Sequence, residues 1–358
     1  FFYTQKTPYA ILSGLVGSEM CIRDRSSISR MVRNIKDIKG FCILPFIHLS
    51  TRTDGRMQIC CTANSSSTNE EQYVGCNRKD DGSFVELHKD RPEDNWNTHY
   101  MKSLRLAMLK GEKPPVCRKC YDEEESGYRS KRMWENDLWE KELDYNTIVE
   151  KVNADGSMPY GIHYIDMKLG NACNLACVMC NPADSSLWIP DYNKLMDSDI
   201  SNESKKRISW SNKRGKLNWY KMDAPFWKDI ENKLDTIENL YIIGGEPTIN
   251  PEFKAFLEMC VKSGHSSRIN LRFNTNGYTT TKELDHLYTC FKTCLIHLSL
   301  DGFGDYHNLI RYPSNWETML EKLDYWDNTA DNIKVCLLYT SDAADEGLGV
   351  DLGGRRII

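Results

Sequence analysis

No stretch of this sequence approaches the ~20 consecutive apolar residues that a membrane-spanning helix requires, so no helix of the chain is expected to cross a bilayer. Positive charge is not in excess either: 46 Lys and Arg stand against 51 Asp and Glu, for a net charge of −5. Nucleic-acid binding driven by overall charge is therefore not expected, because a polyphosphate partner needs a strongly basic face. Internal repeats and low-complexity tracts are absent, which sets aside solenoids and disordered linkers. Cysteine, by contrast, is abundant. Its 14 copies fall in close-spaced clusters within a chain of 358 residues. That pattern excludes the disulfide scaffold of a short secreted domain and reads as metal ligation in a reducing compartment, hence the cytoplasm. The length suits two domains.

The two ends stand apart from the rest. Residues 1–25 include a weakly apolar stretch, Ala10 to Gly17, that could pass for a poor signal peptide. The strings GLVGSEMCIRDR near the start, and CLLYTSDAADE and GVDLGGRRII in 336–358, instead resemble translated sequencing-adapter read-through. On that reading 1–25 and 336–358 are artefact, and the natural barrel continues past residue 335.

Between the ends the pattern changes once. Phe41 to Ala63 alternates and turns at Asp54-Gly55, which predicts a β-hairpin. Residues 64–94 read as loop. Trp96 to Lys110 places Met101, Leu104, Met108 and Leu109 at helical spacing, and Gly111 is the expected stop. Cys117-Arg-Lys-Cys120 then leads into an expected helix through Glu140. We read 41–145 as one small cysteine-rich α+β module. From residue 160 to 335 strands alternate with helices, the mark of a parallel α/β sheet or barrel. The expected strands are 162–169, 239–243, 269–273, 295–300 and one starting at Ile333; helices are expected at 252–263, 281–291 and 315–326. Each of the first four strands ends in a polar or glycine-rich cluster, on the face where parallel barrels bind ligands. The segment 184–226 reads as an insertion.

The strongest signal is Cys173-Asn-Leu-Ala-Cys177-Val-Met-Cys180, a C-x3-C-x2-C loop directly after a strand. Three thiolates are one fewer than a closed four-ligand zinc site, and on a [4Fe–4S] cluster they leave one iron open. Gly244-Gly245-Glu246, Asn274-Thr275-Asn276-Gly277 and Ser299-Leu300-Asp301-Gly302 follow in order, each after a strand. Together these motifs resemble the radical S-adenosylmethionine (SAM) enzymes. The resemblance implies a partial (βα)6 barrel, truncated at its C-terminal side. It also implies a [4Fe–4S] cluster on Cys173, Cys177 and Cys180, with SAM held by Gly244, Gly245, Glu246, Asn274, Asn276, Ser299 and Asp301. Reduction of the cluster would cleave SAM to methionine and a 5′-deoxyadenosyl radical that abstracts hydrogen from a substrate. Met179 stands where the family usually has an aromatic residue.

Cys42 and Cys60, flanking the hairpin, together with Cys117 and Cys120 supply four more candidate thiolates; Cys61 could replace Cys60, and Cys76 could join. The hairpin-plus-CxxC arrangement resembles the twitch domain, a shortened SPASM domain with an auxiliary iron–sulfur cluster, here preceding the barrel. A four-cysteine zinc knuckle is the alternative. Relatives with such domains imply a peptide or protein side chain as substrate and a reductant such as flavodoxin or ferredoxin. A small molecule, sugar or nucleotide is the other substrate class weighed, and a non-catalytic iron–sulfur or zinc protein is the reading from another class. Outside these motifs Cys260, Cys290 and Cys294 read as core packing, and His48 as structural. His297 lies on a strand with its orientation open, and His307 sits near the expected cavity. Lys205 to Lys216 reads as solvated surface, and Trp188, Trp210, Trp219 and Trp227 as core or lid.

Overall fold

The computed structural model describes residues 35, 38–63, 75–205, 218–279, 282–330 and 332–338. Residues 1–25, Trp210, most of Lys205 to Lys216 and the chain beyond 338 lie outside the described residues.

The strands are β1 (His48–Thr51), β2 (Met57–Gln58), β3 (Tyr164–Lys168), β4 (Asn239–Ile243), β5 (Asn270–Thr275), β6 (Thr293–Ser299) and β7 (Ile333–Leu338). They form one sheet in the order β2-β1-β3-β4-β5-β6-β7. The expected barrel strands all form, and β7 runs on through Cys336 to Leu338, residues assigned above to read-through. Two expectations are corrected here. The hairpin is shorter than 41–63, because Leu44–Ile47 is helical and only β1 and β2 pair antiparallel. Nor is the N-terminal block a separate layer: β1 pairs parallel with β3, opposite Tyr164, Ile165 and Asp166. The N-terminal segment thus supplies the first of six parallel strands.

Alternation along the strands sorts the sheet into two faces. Leu240 and Ile242, Leu271 and Phe273, and Cys294, Ile296 and Leu298 are buried on the face the helices cover. The helix Pro251–Lys262 shows why it docks there. Phe253, Phe256, Leu257 and Cys260 fall on one stripe, the Asn250 side chain caps the Glu252 amide at 3.0 Å, and Phe253 meets Phe273 edge-on with centroids 5.2 Å apart. Cys260 and Cys294 are core thiols, as expected.

The opposite, inner face is polar. It carries His48 and Ser50 from β1, Tyr164, Asp166 and Lys168 from β3, Tyr241 from β4, Arg272 and Asn274 from β5, and His297 and Ser299 from β6. His297, whose orientation the sequence left open, points to this face.

Elsewhere the elements depart from expectation where glycine or polar residues intervene. The helix expected through Glu140 is two, Arg118–Glu125 and Lys131–Trp139, broken at Gly127 with φ +84°. Of the helix expected over 281–291, the described residues form only Asp285–Tyr288. Arg105 ties the N-terminal helices together, fully buried and donating to the carbonyls of Pro45 and Trp96 at 2.9 Å each. Trp219 and Trp227 are core residues. Among the described residues no helix is long and apolar enough to cross a membrane.

Candidate functional site

The cysteine loop leaves the C-terminal end of β3 and is held almost entirely by backbone. The Ala176 amide donates to the Tyr312 carbonyl at 2.6 Å and the Val178 amide to Ile310 at 2.9 Å. Ser185 Oγ donates to the Leu175 carbonyl at 2.6 Å, and Trp188 Nε1 donates to the Cys177 carbonyl at 2.9 Å. Trp188 therefore belongs to the loop's scaffold. Cys177 is buried and Cys173 and Cys180 half-buried. Cys180 hydrogen-bonds the Cys177 thiol, and with Arg311 nearby it lowers that thiol to about 7 and raises Cys180; burial raises Cys173 to about 11.

Gly244 and Gly245 close the adjacent strand end with φ of +98° and +55°. A Cβ at Gly245 would lie 2.2 Å from the Ala172 carbonyl oxygen, and one at Gly244 2.8 Å from the Leu169 amide. The space a side chain would need at either glycine is taken by the start of the chain's own cysteine loop. Glu246 continues the same turn. Its amide donates to the Ala172 carbonyl at 2.7 Å. Its carboxylate is buried and accepts from the Thr248 amide and hydroxyl, the Thr275 hydroxyl at 2.8 Å and the Asn276 amide at 2.6 Å. Burial pushes its pKa up, against the opposing pull of these donors. Glu246 thus clamps the ends of β4 and β5 to the cysteine loop.

The later motifs reach the same edge. Asn276 Nδ2 donates to Asn174 Oδ1 at 2.7 Å, inside the cysteine loop. Asn274 Oδ1 accepts from Tyr241 Oη at 3.2 Å and from His297 Nδ1 at 3.1 Å, which leaves the Asn274 amide group as a donor. Ser299 is half-buried at the end of β6. Asp301 is fully buried and accepts from Arg311 Nη2 at 2.5 Å.

Arg311 is the residue that sequence reasoning missed. Its Nη1 also lies 3.8 Å from Cys177 Sγ, so one guanidinium joins the cysteine loop to the LSLDG strand end. No motif marks it, since it sits ten residues past Asp301 in a plain helix-to-loop passage. His307, one turn before Arg311, packs against Trp316 at 5.4 Å between centroids. Burial, with Arg311 beside it, lowers its pKa from 6.5 to about 4. The unfolded ring titrates first as pH falls, so its contribution is full above pH 6.5 and lost between 6.5 and 4. We expect about 2 kcal/mol less stability at pH 5 than at pH 7 from this residue. Thermal melts of wild type and His307→Phe across that range check it: the variant's profile should be flatter.

The second thiol set is also assembled. Cys42 precedes the Leu44–Ile47 helix, Cys60 follows β2, and Cys117 and Cys120 sit at the start of Arg118–Glu125. Burial, and each other's charge, raises Cys42, Cys60 and Cys117. Thr62 Oγ1 bridges Cys60 Sγ at 3.3 Å and Cys120 Sγ at 4.0 Å. Cys61 turns instead toward Asp166 and Lys131, and Cys76 lies among Arg52, Asp54, Arg56 and Arg78. Among the described residues no three His, Cys, Asp or Glu side chains converge as a single ion needs. A cubane cluster takes each thiolate on a different iron, so its ligands stand further apart than those of a closed tetrahedral zinc site.

Comparison with known proteins agrees with the geometry. Residues 167–337 match the family model described as the Radical SAM superfamily. No curated protein matches. Among solved structures, Streptococcus suis SuiB bound to S-adenosylmethionine aligns with 14% identity and a TM-score of 0.32, over 68% of this chain and 51% of that one. SuiB bound to its precursor peptide SuiA aligns with 12% identity and a TM-score of 0.32, over 68% and 51%. TYW1 with a lysine-pyruvate adduct aligns with 16% identity and a TM-score of 0.26, over 63% and 71%. The chain thus spans about half the length of SuiB. The reading rests on the family match, not on these superpositions.

Proposed function

We propose, for a chain that carries a radical SAM domain in residues 167–337 and so an enzyme's domain, reductive cleavage of SAM at the edge where the cysteine loop meets β4, β5 and β6, followed by hydrogen abstraction from a peptide or protein side chain. One observation carries this reading: Glu246, Asn276, Asp301 and Arg311 bind four separate motifs into one edge around Cys173, Cys177 and Cys180. When bound there, a [4Fe–4S] cluster supplies the electron that splits SAM and yields a radical able to take a hydrogen atom.

The chain's own residues do the remaining work. Cys173, Cys177 and Cys180 hold the cluster, and Arg311 places a fixed positive charge beside Cys177. Gly244, Gly245 and Glu246 fix the height of the loop over the sheet. Asn274, whose amide group stays a donor because its oxygen accepts from Tyr241 and His297, and Ser299 offer polar contacts to SAM. Cys42, Cys60, Cys117 and Cys120 hold an auxiliary iron–sulfur cluster in a twitch-like module, with a flavodoxin or ferredoxin as reductant in the cytoplasm.

The test is iron and acid-labile sulfide after anaerobic reconstitution. About eight irons per chain are expected, falling to about four when Cys42, Cys60, Cys117 and Cys120 become alanine. About four irons in the wild type, with zinc retained, would reduce the N-terminal set to a structural knuckle. Wild-type protein that forms no 5′-deoxyadenosine from SAM under dithionite would sink the catalytic reading.

A further inference from the structure

Beside Asn274, which the SAM-cleavage reading uses, the inner face of the sheet holds a charged array that this reading leaves unused. Asp166, Tyr241 and Arg272 lie in one cross-strand row, since Asp166 pairs in register with Tyr241 and Tyr241 with Arg272. Asn274 and His297 form the next row toward the strand ends. The Arg272 guanidinium stacks on the Tyr241 ring at 4.1 Å and donates to Tyr164 Oη at 3.3 Å. Both contacts fix its plane. Among the described residues no carboxylate lies within salt-bridge distance of it, although Arg272 is half-buried. An arginine in such a setting normally has an acidic partner, because taking an unpaired charge out of water is unfavourable.

The surrounding charge is mixed, with the buried Asp166 in the same row, and it leans positive. Lys131, Lys168 and Arg272 all act on Asp166, and of the two nearby carboxylates Glu135 is already taken by Lys131 at 2.7 Å. Three cations therefore face two carboxylates, and the excess is positive. Above Arg272 the pattern continues as donors: the Asn274 amide group is free to donate, because its oxygen is used by Tyr241 and His297. Burial, and then Arg272, lower the His297 pKa.

From this arrangement we infer that the inner face binds a carboxylate of the substrate, with Arg272 as the anchor and Tyr241 as the platform that holds it. A guanidinium presents paired donors that match a carboxylate's two oxygens. This assignment rests on the proposed function in placing substrate on the inner face, and it adds that the substrate is acidic, through either a Glu or Asp side chain of a peptide or a free α-carboxylate.

Titration calorimetry on the reconstituted full chain separates the possibilities with three small probes at millimolar concentration. N-acetylglutamate α-amide carries only a side-chain carboxylate, N-acetylglutamine only an α-carboxylate, and N-acetylglutamine amide neither. At least one acid should bind about 10- to 100-fold more tightly than the neutral amide, the range of a charge-assisted hydrogen bond; which acid wins identifies the source. Arg272→Gln should abolish that preference and Arg272→Lys should retain only part of it. Equal binding of all three probes, no binding of either acid, or full preference in Arg272→Gln would overturn the assignment. If Arg272→Gln fails to give a cooperative melt, Tyr241→Leu carries the variant test, with weakened preference expected and unchanged preference counting against the site. Iron content and 5′-deoxyadenosine formation report separately on the proposed function, so loss of one reading is distinguishable from loss of the other.

Discussion

Replacing Cys173, Cys177 and Cys180 together by alanine should remove about four irons per chain and all 5′-deoxyadenosine formation from SAM, while leaving the fold intact. The structure explains why the effect is chemical rather than structural. The loop is fixed mainly by its main-chain hydrogen bonds to Ile310, Tyr312, Ser185 and Trp188, and the contacts the thiols themselves accept, from the Leu175 amide to Cys173 at 3.5 Å and from Arg311 to Cys177 at 3.8 Å, are the long ones. Cys173 and Cys180 are only half-buried, so their truncation opens little cavity, and the buried Cys177 loses a single sulfur atom. Circular dichroism and a melt close to wild type, together with lost iron, are the expected pair of results. A variant that still produced 5′-deoxyadenosine would show that these thiols are not the cluster ligands.

The largest stability effect is expected from Arg311→Met. Asp301 is fully buried and Arg311 nearly so, and removing the guanidinium leaves the carboxylate inside the protein without this cation. Breaking a buried pair from one side costs about 3–5 kcal/mol, readable as a lower urea midpoint with an unchanged slope. The double variant Asp301→Asn/Arg311→Met should recover part of the loss, because the buried negative charge is gone. If the double variant is as unstable as the single one, Arg311 acts through packing, and the ion pair is not what secures the cysteine loop to β6.

How much of this could be read in advance depended on the range of the interaction. The first four barrel strands were legible because each is a short apolar run closed by a glycine-rich or polar cluster, and the Cys173–Cys180 loop because its three cysteines lie within eight residues of chain. The same locality explains the failures. Thr281 to Phe291 carries a helical apolar spacing, yet only Asp285–Tyr288 forms a helix. The 41–63 alternation suggested a free hairpin because nothing in it marks a parallel neighbour that arrives more than a hundred residues later.

What the sequence determined by itself was the chemistry available: three thiolates in a short loop, four more around the N-terminal hairpin, and polar clusters at successive strand ends. Those follow from spacing, which the covalent chain fixes. What only the tertiary structure decided was which groups meet. Gly245 is needed because Ala172 occupies the space beside it, Glu246 serves as a clamp because Thr275 and Asn276 arrive from the next strand, and Arg311 joins Cys177 to Asp301 across the sheet edge. Each of these depends on burial and strand register, and register is set by pairing between segments whose separation along the chain carries no local signal.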